Sequence, residues 1–376
     1  MKTNKDDRSS RCTIGIDLSI LDRVETGTSV YAENLFQALK GLDQSSCEFI
    51  ALSSPKPLSR KNILSKLYNF ALEMFWLTIL LPAKVRKLRI ELLHMPGNTI
   101  SPVLRTPQVC SIHDAHFLTN PEGRDFLWRS YAKLSFGYAA KHADRILCDS
   151  YSAREEIIHL LGAKPDTIDV VYPGIPDRKS TANDTAAAAP RKPYILSVGA
   201  TEPNKNFLSL LEAFSRLVRS DRSQGHRLVL AGPSGQDHPN LINFIQQQGL
   251  SNRVDLLGHV SDSMLAALYE NASIFVFPSF CEGFGFPPLE AMYYGVPVAG
   301  SSAPCIPEIL GEAPLYFDPH NVSEMSEKIH MILSDTQLRQ NLIKSGKARA
   351  REFTWENTAL KTLDVYTSLL KTMPEN

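Results

Sequence analysis

The sequence of 376 residues predicts an α/β protein with two doubly wound domains. Short apolar phrases that end in polar residues alternate with helical segments in both halves of the chain, which is typical of buried parallel strands joined by helices. An aperiodic stretch rich in proline, alanine and small polar residues, GIPDRKSTANDTAAAAPRK, separates the two alternations. The length also suits two domains, since one domain usually holds about 100–200 residues.

The first domain begins with a strand from Thr13 to Leu18, which a polar loop joins to a helix from Val30 to Leu42. Its later strand phrases are ELLHM, QVCSIHD, ADRILCDS and TIDVVYPG. The strand phrases of the second domain are PYILSVGA, RLVLAGPS, RVDLLGHV and SIFVFPSF. The last segment predicts an amphipathic helix capped by Thr354, with an apolar stripe of Leu360, Leu363, Tyr366 and Leu370. We therefore expect a disordered tail at 1–11, a first domain at 12–175, a linker at 176–192, a second domain at 193–353 and a closing helix within 354–376.

Composition describes a globular protein without a strong overall charge. Hydrophobic residues make up 43% of the chain, and 40 basic side chains balance 40 acidic ones, so nucleic acid has no electrostatic handle. The six cysteines contain no C-x-x-C pair and no zinc-ligand spacing, which predicts buried free thiols in a reducing compartment. Residues 1–11 lack the apolar stretch of a secretory signal, so we expect a cytoplasmic protein.

One apolar segment, Leu64 to Lys84, is interrupted by Glu73 and predicted to end at Pro82. Its uncharged part is shorter than the roughly 20 residues that a membrane-spanning helix needs. Basic residues flank the segment on both sides: Arg60, Lys61, Lys84, Arg86, Lys87 and Arg89. Two alternatives stay open, a buried or half-buried domain helix and a peripheral contact of residues 60–89 with an anionic membrane surface.

The loop SVGATEPNKNF, from Ser197 to Phe207, is the first candidate for chemistry. Gly199 permits a tight turn, and Lys205 arrives just before a predicted helix, whose N-terminal amides favour an anion. The motif therefore predicts a phosphate-binding lysine. The alternative is a solvated lysine at a helix start.

The second candidate is SFCEGFGFPPLEAMYYG, in which glycines permit close backbone approach to a ligand. We expect Glu290, in the first turn of the following helix, to accept hydrogen bonds from vicinal hydroxyls, as an acid does for the ribose of a dinucleotide. Glu282, before that helix, would meet a different hydroxylated group. Two acids and a basic anion site predict a ligand with two polyol ends and a negative centre, which is the form of a sugar nucleotide.

In their order and spacing, these stretches resemble family 4 glycosyltransferases over nearly the whole chain. The other stretches that carry the resemblance are TGTSVYAENLFQAL, SIHDAHF, ILCDSYSAREEI, VVYPGI, LVLAGPSG, VSDSMLAALYENASIFVF, PEILGEAPLYFDP and FTWENTALKTLDVY. The resemblance implies the GT-B fold, in which two Rossmann-like domains face a central cleft and a C-terminal helix, here 355–372, crosses back to the first domain. It also implies transfer of a hexose, with retention at the anomeric carbon, from a nucleoside-diphosphate sugar to a saccharide or lipid-linked saccharide in polysaccharide biosynthesis.

The same resemblance assigns the candidate site residues. It implies catalytic roles for His113, which would face the donor sugar, for Lys205, which would neutralise the departing diphosphate, and for Glu282, which would face the transferred sugar. The implied donor site consists of Gly27, Thr28, Asn204, Lys205, Val260, Glu282, Gly283, Phe284, Gly285, Phe286, Leu289 and Glu290. Polar residues expected on strand-end loops of the first domain are candidates for acceptor contacts: His94, Asn98 and His116.

The sequence departs from the family pattern at Asn204, where relatives commonly have an arginine. We expect weaker diphosphate binding, or a substitute cation such as Arg191 or Lys192. We expect no cofactor other than the nucleotide-sugar co-substrate, and no metal, because the sequence contains no D-x-D triad. UDP-glucose is the first candidate donor and GDP-mannose the second, on family habit alone.

Competing interpretations remain at this point. A nucleotide-sugar 2-epimerase or a phosphorylase would use the same fold, and a phosphorylase would carry a lysine-bound pyridoxal phosphate. A non-catalytic subunit would bind the nucleotide sugar without turnover. A dinucleotide oxidoreductase is disfavoured because no G-x-G-x-x-G opens either domain.

Overall fold

The computed structural model describes residues 12–22, 27–42, 47–58, 63–115, 118, 126–176 and 193–372. They form two compact units, each built on its own six-stranded parallel sheet. The first unit draws its described residues from Met1–Thr119, Asp125–Gly174 and Thr354–Asn376, and the second draws them from Ile175–Phe353. The two sheets with their helices confirm the predicted α/β class.

The sheet of the first unit has the strand order β2-β1-β3-β4-β5-β6. Its strands are β1 (Cys12–Asp17), β2 (Cys47–Leu52), β3 (Leu92–Met95), β4 (Gln108–Ser111), β5 (Arg145–Cys148) and β6 (Ile168–Val170). Its helices are α1 (Gly27–Lys40), α2 (Ile63–Phe75), α3 (Leu81–Lys87), α4 (Phe126–His142) and α5 (Tyr151–Glu156). Both β3 and β4 are buried at every residue, because helices cover a parallel sheet on both faces.

Helix α1 begins at Gly27, three residues before the predicted start, and buries Tyr31, Leu35 and Leu39 as its apolar spacing predicts. These side chains share one hydrophobic core with α13 (Trp355–Thr372), the last described helix, which belongs to the first unit. The predicted return of the C-terminal helix to the first domain is therefore confirmed. The predicted stripe was only partly right, because Leu360 is 45% exposed while Tyr366 is fully buried.

The sheet of the second unit has the order β12-β11-β10-β7-β8-β9. Its strands are β7 (Tyr194–Val198), β8 (Arg227–Ala231), β9 (Val254–Gly258), β10 (Ile274–Phe277), β11 (Val298–Ser301) and β12 (Leu315–Phe317). Its helices are α6 (Phe207–Arg219), α7 (His238–Gln247), α8 (Asp262–Asn271), α9 (Phe286–Tyr293), α10 (Ile306–Leu310), α11 (Val322–Ser334) and α12 (Thr336–Ala350). Because β7 lies between β8 and β10, the segments that follow β7 and β10 leave the sheet side by side.

The prediction of six free thiols was wrong for two cysteines, since Cys12 and Cys47 form a disulfide. Both open their strands, and the parallel register of β1 and β2 pairs them directly, with their Cα atoms 4.5 Å apart. Their separation of 35 residues carries no recognisable spacing, so only the register of the sheet reveals the pair. The other four cysteines remain thiols.

The apolar segment continues past Pro82, so its predicted end was wrong. Helix α2, a π-helical turn at Trp76–Leu80 and α3 run on without a break as far as Lys87. The π-helical turn changes the hydrogen-bond register just before the proline, which can then occupy the first turn of α3. By length and composition alone, Leu64–Lys87 is the one described helix that could span a membrane, and 17% of its most apolar window is buried.

Candidate active site

Two neighbouring loops of the second unit carry most of the predicted donor site. A short 3-10 turn, Pro203–Lys205, follows β7 and leads into α6, whereas residues 278–285 follow β10 and lead into α9. The amide of Phe280 donates a hydrogen bond to the carbonyl oxygen of Asn204 at 2.8 Å. This backbone contact holds the two loops against each other.

Asn206, a buried asparagine that the sequence motifs did not single out, holds the first loop in place. It adopts a left-handed conformation with φ of 56°, and its side-chain amide donates to the carbonyl oxygens of Pro278 at 3.0 Å and Pro319 at 2.9 Å. Asparagine tolerates this backbone conformation better than most residues do. The signal that could have revealed it is an asparagine placed directly between the turn and the helix start.

Lys205 and Glu282 form an ion pair between the two loops. The Lys205 ammonium donates to both carboxylate oxygens of Glu282, at 2.6 and 2.9 Å. Their side chains are 21% and 12% exposed, so the pair lies in a partly desolvated position that is still open to a ligand. The structure thus brings together the predicted phosphate-binding lysine and the predicted sugar-binding acid.

Glu290 lies in the second turn of α9 and not in the first turn, because that helix begins at Phe286. It is 2% exposed, and its carboxylate accepts a hydrogen bond from the hydroxyl of Tyr269 at 2.9 Å. The ring of Tyr269 stacks on that of Tyr294 at a centroid distance of 5.6 Å. Tyrosines on α8 and at the end of α9 therefore fix the orientation of this carboxylate.

The glycine turn before α9 depends on Gly285, whose φ of 95° is strained for any residue with a Cβ atom. The thiol of Cys305 donates to the carbonyl oxygen of Gly283 at 3.2 Å and supports the turn from below. Two predicted donor residues serve packing through their side chains, since Phe284 is 4% exposed and Leu289 is fully buried. The place of Leu289 in the donor site stays a prediction.

The remaining predicted donor residues lie on other elements. Val260 follows β9 just before α8 and is partly buried. Gly27 and Thr28 open α1 in the first unit, where helix amides are available to an anion. The two substitute cations, Arg191 and Lys192, lie outside the described residues.

His113 follows β4 in the first unit and is held on several sides. Its Nδ1 lies 2.7 Å from Oδ2 of Asp149, the residue that follows β5, and its Nε2 lies 3.2 Å from the carbonyl oxygen of Pro96. The ring of Tyr31 meets the imidazole edge to face at a centroid distance of 4.7 Å. The sequence motifs did not single out Asp149, although its place at the end of the neighbouring strand was a usable signal.

Opposing effects act on the pKa of His113. Burial lowers the pKa, but the charge and hydrogen bond of Asp149, the Pro96 carbonyl and the charge of Asp114 together raise it above the ordinary histidine value. The net direction favours the protonated ring.

The acceptor predictions for the first unit need correction. His94 lies within β3 and not on a loop, and it is fully buried, with Nδ1 bonded to the hydroxyl of Tyr366 and Nε2 to that of Ser111 at 2.8 Å. It therefore offers no exposed atom to an acceptor. Asn98 lies on a loop as predicted, but its Oδ1 accepts the backbone N–H of His113 at 3.2 Å. His116 lies outside the described residues.

Comparisons with known proteins show the family of the chain. The family described as Glycosyltransferase Family 4 matches residues 26–179, and that described as Glycosyl transferases group 1 matches residues 179–349. The O-antigen chain mannosyltransferase B of Escherichia coli is 32% identical over 271 residues, which cover 69% of each chain. The chain belongs to glycosyltransferase family 4. It is accordingly an enzyme of the hexosyltransferase class.

Solved structures show that this glycosyltransferase has the GT-B fold. The sucrose-phosphate synthase of Thermosynechococcus elongatus is 19% identical, with a TM-score of 0.73 over 96% of this chain and 100% of that chain. HepE of Anabaena, solved with UDP and glucose, is 18% identical, with a TM-score of 0.69 over 95% of this chain and 100% of that chain. In the part of this glycosyltransferase that the structure describes, no group of three His, Cys, Asp or Glu side chains is placed to hold a metal ion.

Proposed function

We propose that this protein is a retaining, metal-independent glycosyltransferase that moves a hexose from a nucleoside-diphosphate sugar to a saccharide or lipid-linked saccharide during polysaccharide assembly. The observation that carries the proposal is the Lys205–Glu282 pair beside α9, the helix that bears Glu290. One cation and two carboxylates on adjoining loops match a diphosphate between two hydroxylated groups. GDP-mannose now ranks first as donor, ahead of UDP-glucose, because the relative at 32% identity is a mannosyltransferase.

Each charged group has a separate task in this proposal. Lys205 binds the diphosphate together with the backbone amides at the start of α6, where an anion is favoured. Glu282 accepts hydrogen bonds from hydroxyls of the transferred sugar. Glu290, held by Tyr269, accepts them from the ribose. An ammonium and oriented amides stabilise the charge that develops on the leaving diphosphate, which is the main demand of the reaction.

Retention follows from attack on the face that the diphosphate leaves. The bond between the anomeric carbon and the phosphate oxygen breaks while the acceptor oxygen bonds to that carbon, and the departing phosphate oxygen takes the acceptor proton. A covalent intermediate on a carboxylate is the alternative route to retention. If mass spectrometry located a trapped glycosyl adduct on Glu282 or Asp114, the covalent route would replace the same-face mechanism.

We also propose that α2 and α3 contact an anionic membrane surface, where a lipid-linked acceptor would be found. Several large apolar side chains of this segment are substantially exposed: Leu64, Leu67, Tyr68, Phe70, Phe75, Ile79 and Leu88. Lys84, Arg86 and Lys87 lie in the last turn of α3. Trp76 anchors the segment from inside, since its indole N–H donates to Asp17 at the end of β1 at 3.0 Å. Apolar side chains beside basic ones suit a helix that lies in the headgroup region.

Vesicle sedimentation tests the membrane contact. The protein should sediment with vesicles that contain an anionic lipid and remain in solution with purely zwitterionic vesicles. Leu67→Ser combined with Phe70→Ser should weaken sedimentation, whereas Leu360→Ser, a change at an exposed leucine on α13, should not. Equal sedimentation of the double variant and the wild type would contradict this contact.

Calorimetry in EDTA tests the donor site. We expect the wild type to bind GDP and GDP-mannose more tightly than UDP and UDP-glucose, and Glu290→Ala and Lys205→Ala to lose most of this affinity. Lys344→Ala, at an exposed position of α12, is the matched control and should bind normally. If Glu290→Ala and Lys205→Ala bound the nucleotides as tightly as the wild type, the proposed donor site would be wrong. If the wild type bound UDP and UDP-glucose more tightly than GDP and GDP-mannose, the donor would be UDP-glucose. Analysis of the products by NMR separates sugar transfer from 2-epimerisation of the donor.

A further inference from the structure

The imidazole of His113 is fixed more firmly than a ligand contact alone would require. Asp149 lies at Nδ1, the Pro96 carbonyl lies at Nε2, and the Tyr31 ring packs edge to face. Asn98 accepts the backbone N–H of the same residue. The His113 and Asp149 side chains are 12% and 7% exposed, so little solvent competes with these contacts.

The two ring contacts select one protonation state. A carboxylate and a backbone carbonyl only accept hydrogen bonds, whereas a neutral imidazole has one N–H and one nitrogen lone pair. In either neutral tautomer a lone pair would face an oxygen. The imidazolium has two N–H groups and satisfies both contacts, so the geometry favours the cation.

The other groups around the ring leave Asp149 as the main counter-charge. His94 on β3 is neutral, because burial and the neighbouring His113 lower its pKa to about 3. Tyr31 on α1 is also neutral, because burial and the charge of Asp149 raise its pKa. Asp114 adjoins His113 in the chain, and Glu156 of α5 accepts the backbone N–H of Ala115 at 3.2 Å. Among the described hydrogen bonds, the His113 ring nitrogens contact Asp149 and Pro96 and neither of these two carboxylates.

We propose that Asp149 is a positioning residue that keeps His113 as an imidazolium, so that its Nε2–H is a hydrogen-bond donor to an oxygen of the substrate. This inference rests on the proposed function and adds the state in which His113 acts. The His113 Nε2 lies 3.2 Å from the carbonyl oxygen of Pro96, a distance long enough for a substrate oxygen to share the Nε2–H. His113 then has no free lone pair and does not serve as a general base. That agrees with a reaction in which the leaving phosphate takes the acceptor proton.

NMR of protein labelled at its histidine rings tests the state of His113 without any turnover. The His113 signal is the one of ten histidine signals that disappears in His113→Gln. In the wild type its titration midpoint should lie above 6.5. In Asp149→Asn the midpoint should fall by about 1–3 pH units, because an adjacent opposite charge is lost and burial alone then acts. Asp169→Asn, the same change at a carboxyl that has no contact with His113, should leave the midpoint in place.

The pH dependence of GDP-mannose turnover supplies the second readout. A group whose pKa is raised keeps its charge below that pKa and loses it as the pH rises through it. The kcat/KM of the wild type should therefore decline on the alkaline side of the His113 midpoint. In Asp149→Asn the decline should move to lower pH by the same interval that NMR reports.

Three results would count against Asp149. A wild-type midpoint below 6.5 would overturn the imidazolium, and this measurement needs no variant to fold. An unchanged midpoint in Asp149→Asn would overturn the role of Asp149. A shifted midpoint with an unshifted kcat/KM profile would reduce the contact to a structural one. Failure of the wild type to bind any nucleotide sugar would instead remove the proposed function, and the NMR result would stand apart from it.

Discussion

Replacing Glu282 with glutamine should tighten the binding of a free nucleoside diphosphate while it slows sugar transfer. In the structure the Lys205 ammonium is occupied by both oxygens of Glu282. A diphosphate that uses this lysine must first displace the carboxylate, and it then lies close to a negative charge. Glu282→Gln keeps the shape of the side chain but removes both penalties for GDP.

The size of the effect follows from how deeply the pair is buried. At 21% and 12% exposure it lies between an exposed ion pair, worth about 0.2–1 kcal/mol, and a buried one, whose disruption costs about 3–5 kcal/mol. An intermediate cost of about 1–2 kcal/mol corresponds to a decrease in the Kd of GDP of about 5–30-fold, since about 1.4 kcal/mol is tenfold. GDP-mannose should gain less, because the variant also loses a carboxylate contact with the sugar.

Isothermal titration of GDP in EDTA measures the change directly, and initial rates with GDP-mannose measure the loss of turnover. Glu327→Gln is a suitable control, because it removes the same charge from an exposed pair with Arg222 in the same unit. If GDP binds Glu282→Gln no more tightly than the wild type, the diphosphate does not compete with Glu282 for Lys205.

Three further predictions concern stability and the loops of the site. Asn206→Ala should lower the free energy of unfolding by about 2–4 kcal/mol, because it loses two hydrogen bonds and strains the backbone at positive φ. Asn206→Gly should lower it by less, because glycine adopts this φ without strain. Equal losses in urea denaturation would contradict the strain argument. Gly232→Ala should lower the free energy of unfolding by more than about 3 kcal/mol and impair GDP binding, because its Cβ would overlap the Gly199 carbonyl. Gly225→Ala, also at positive φ but in open space, should lower it by only about 1–2 kcal/mol. Calorimetric melting of both variants checks the difference. A thiol reductant should destabilise the wild type by about 2–4 kcal/mol through the Cys12–Cys47 bond and leave Cys12→Ser unaffected, whereas an insensitive wild type would show that the bond is absent.

The sequence was most informative where a feature depends on local pattern. The apolar period predicted the buried strands and the face of α1 that bears Tyr31 and Leu35. Glycine placement and helix starts predicted the loops that carry Lys205 and Glu282. Family resemblance added roles that the spacing alone left open.

The features it missed depend on neighbours that are distant in the chain. Asp149 meets His113 only because β4 and β5 are adjacent, and Cys12 meets Cys47 only because β1 and β2 are in register. His94 reads as a polar residue at a strand end, yet the return of α13 covers it with Tyr366. Sheet order and the path of the last helix decide all three, and neither is written in local sequence.

The return of α13 also has a consequence for how the chain is made. Ala359, Tyr366 and Leu369 of α13 complete a core whose other buried residues come from the first half of the sequence, and the Gly174 backbone touches Thr354 and Trp355 so closely that no Cβ fits between them. We therefore expect the first unit to keep an open apolar face during synthesis until α13 has emerged, more than 180 residues after Gly174. The second unit, continuous from β7 to α12, can fold during that interval, so the part of the protein that is synthesised first is finished last.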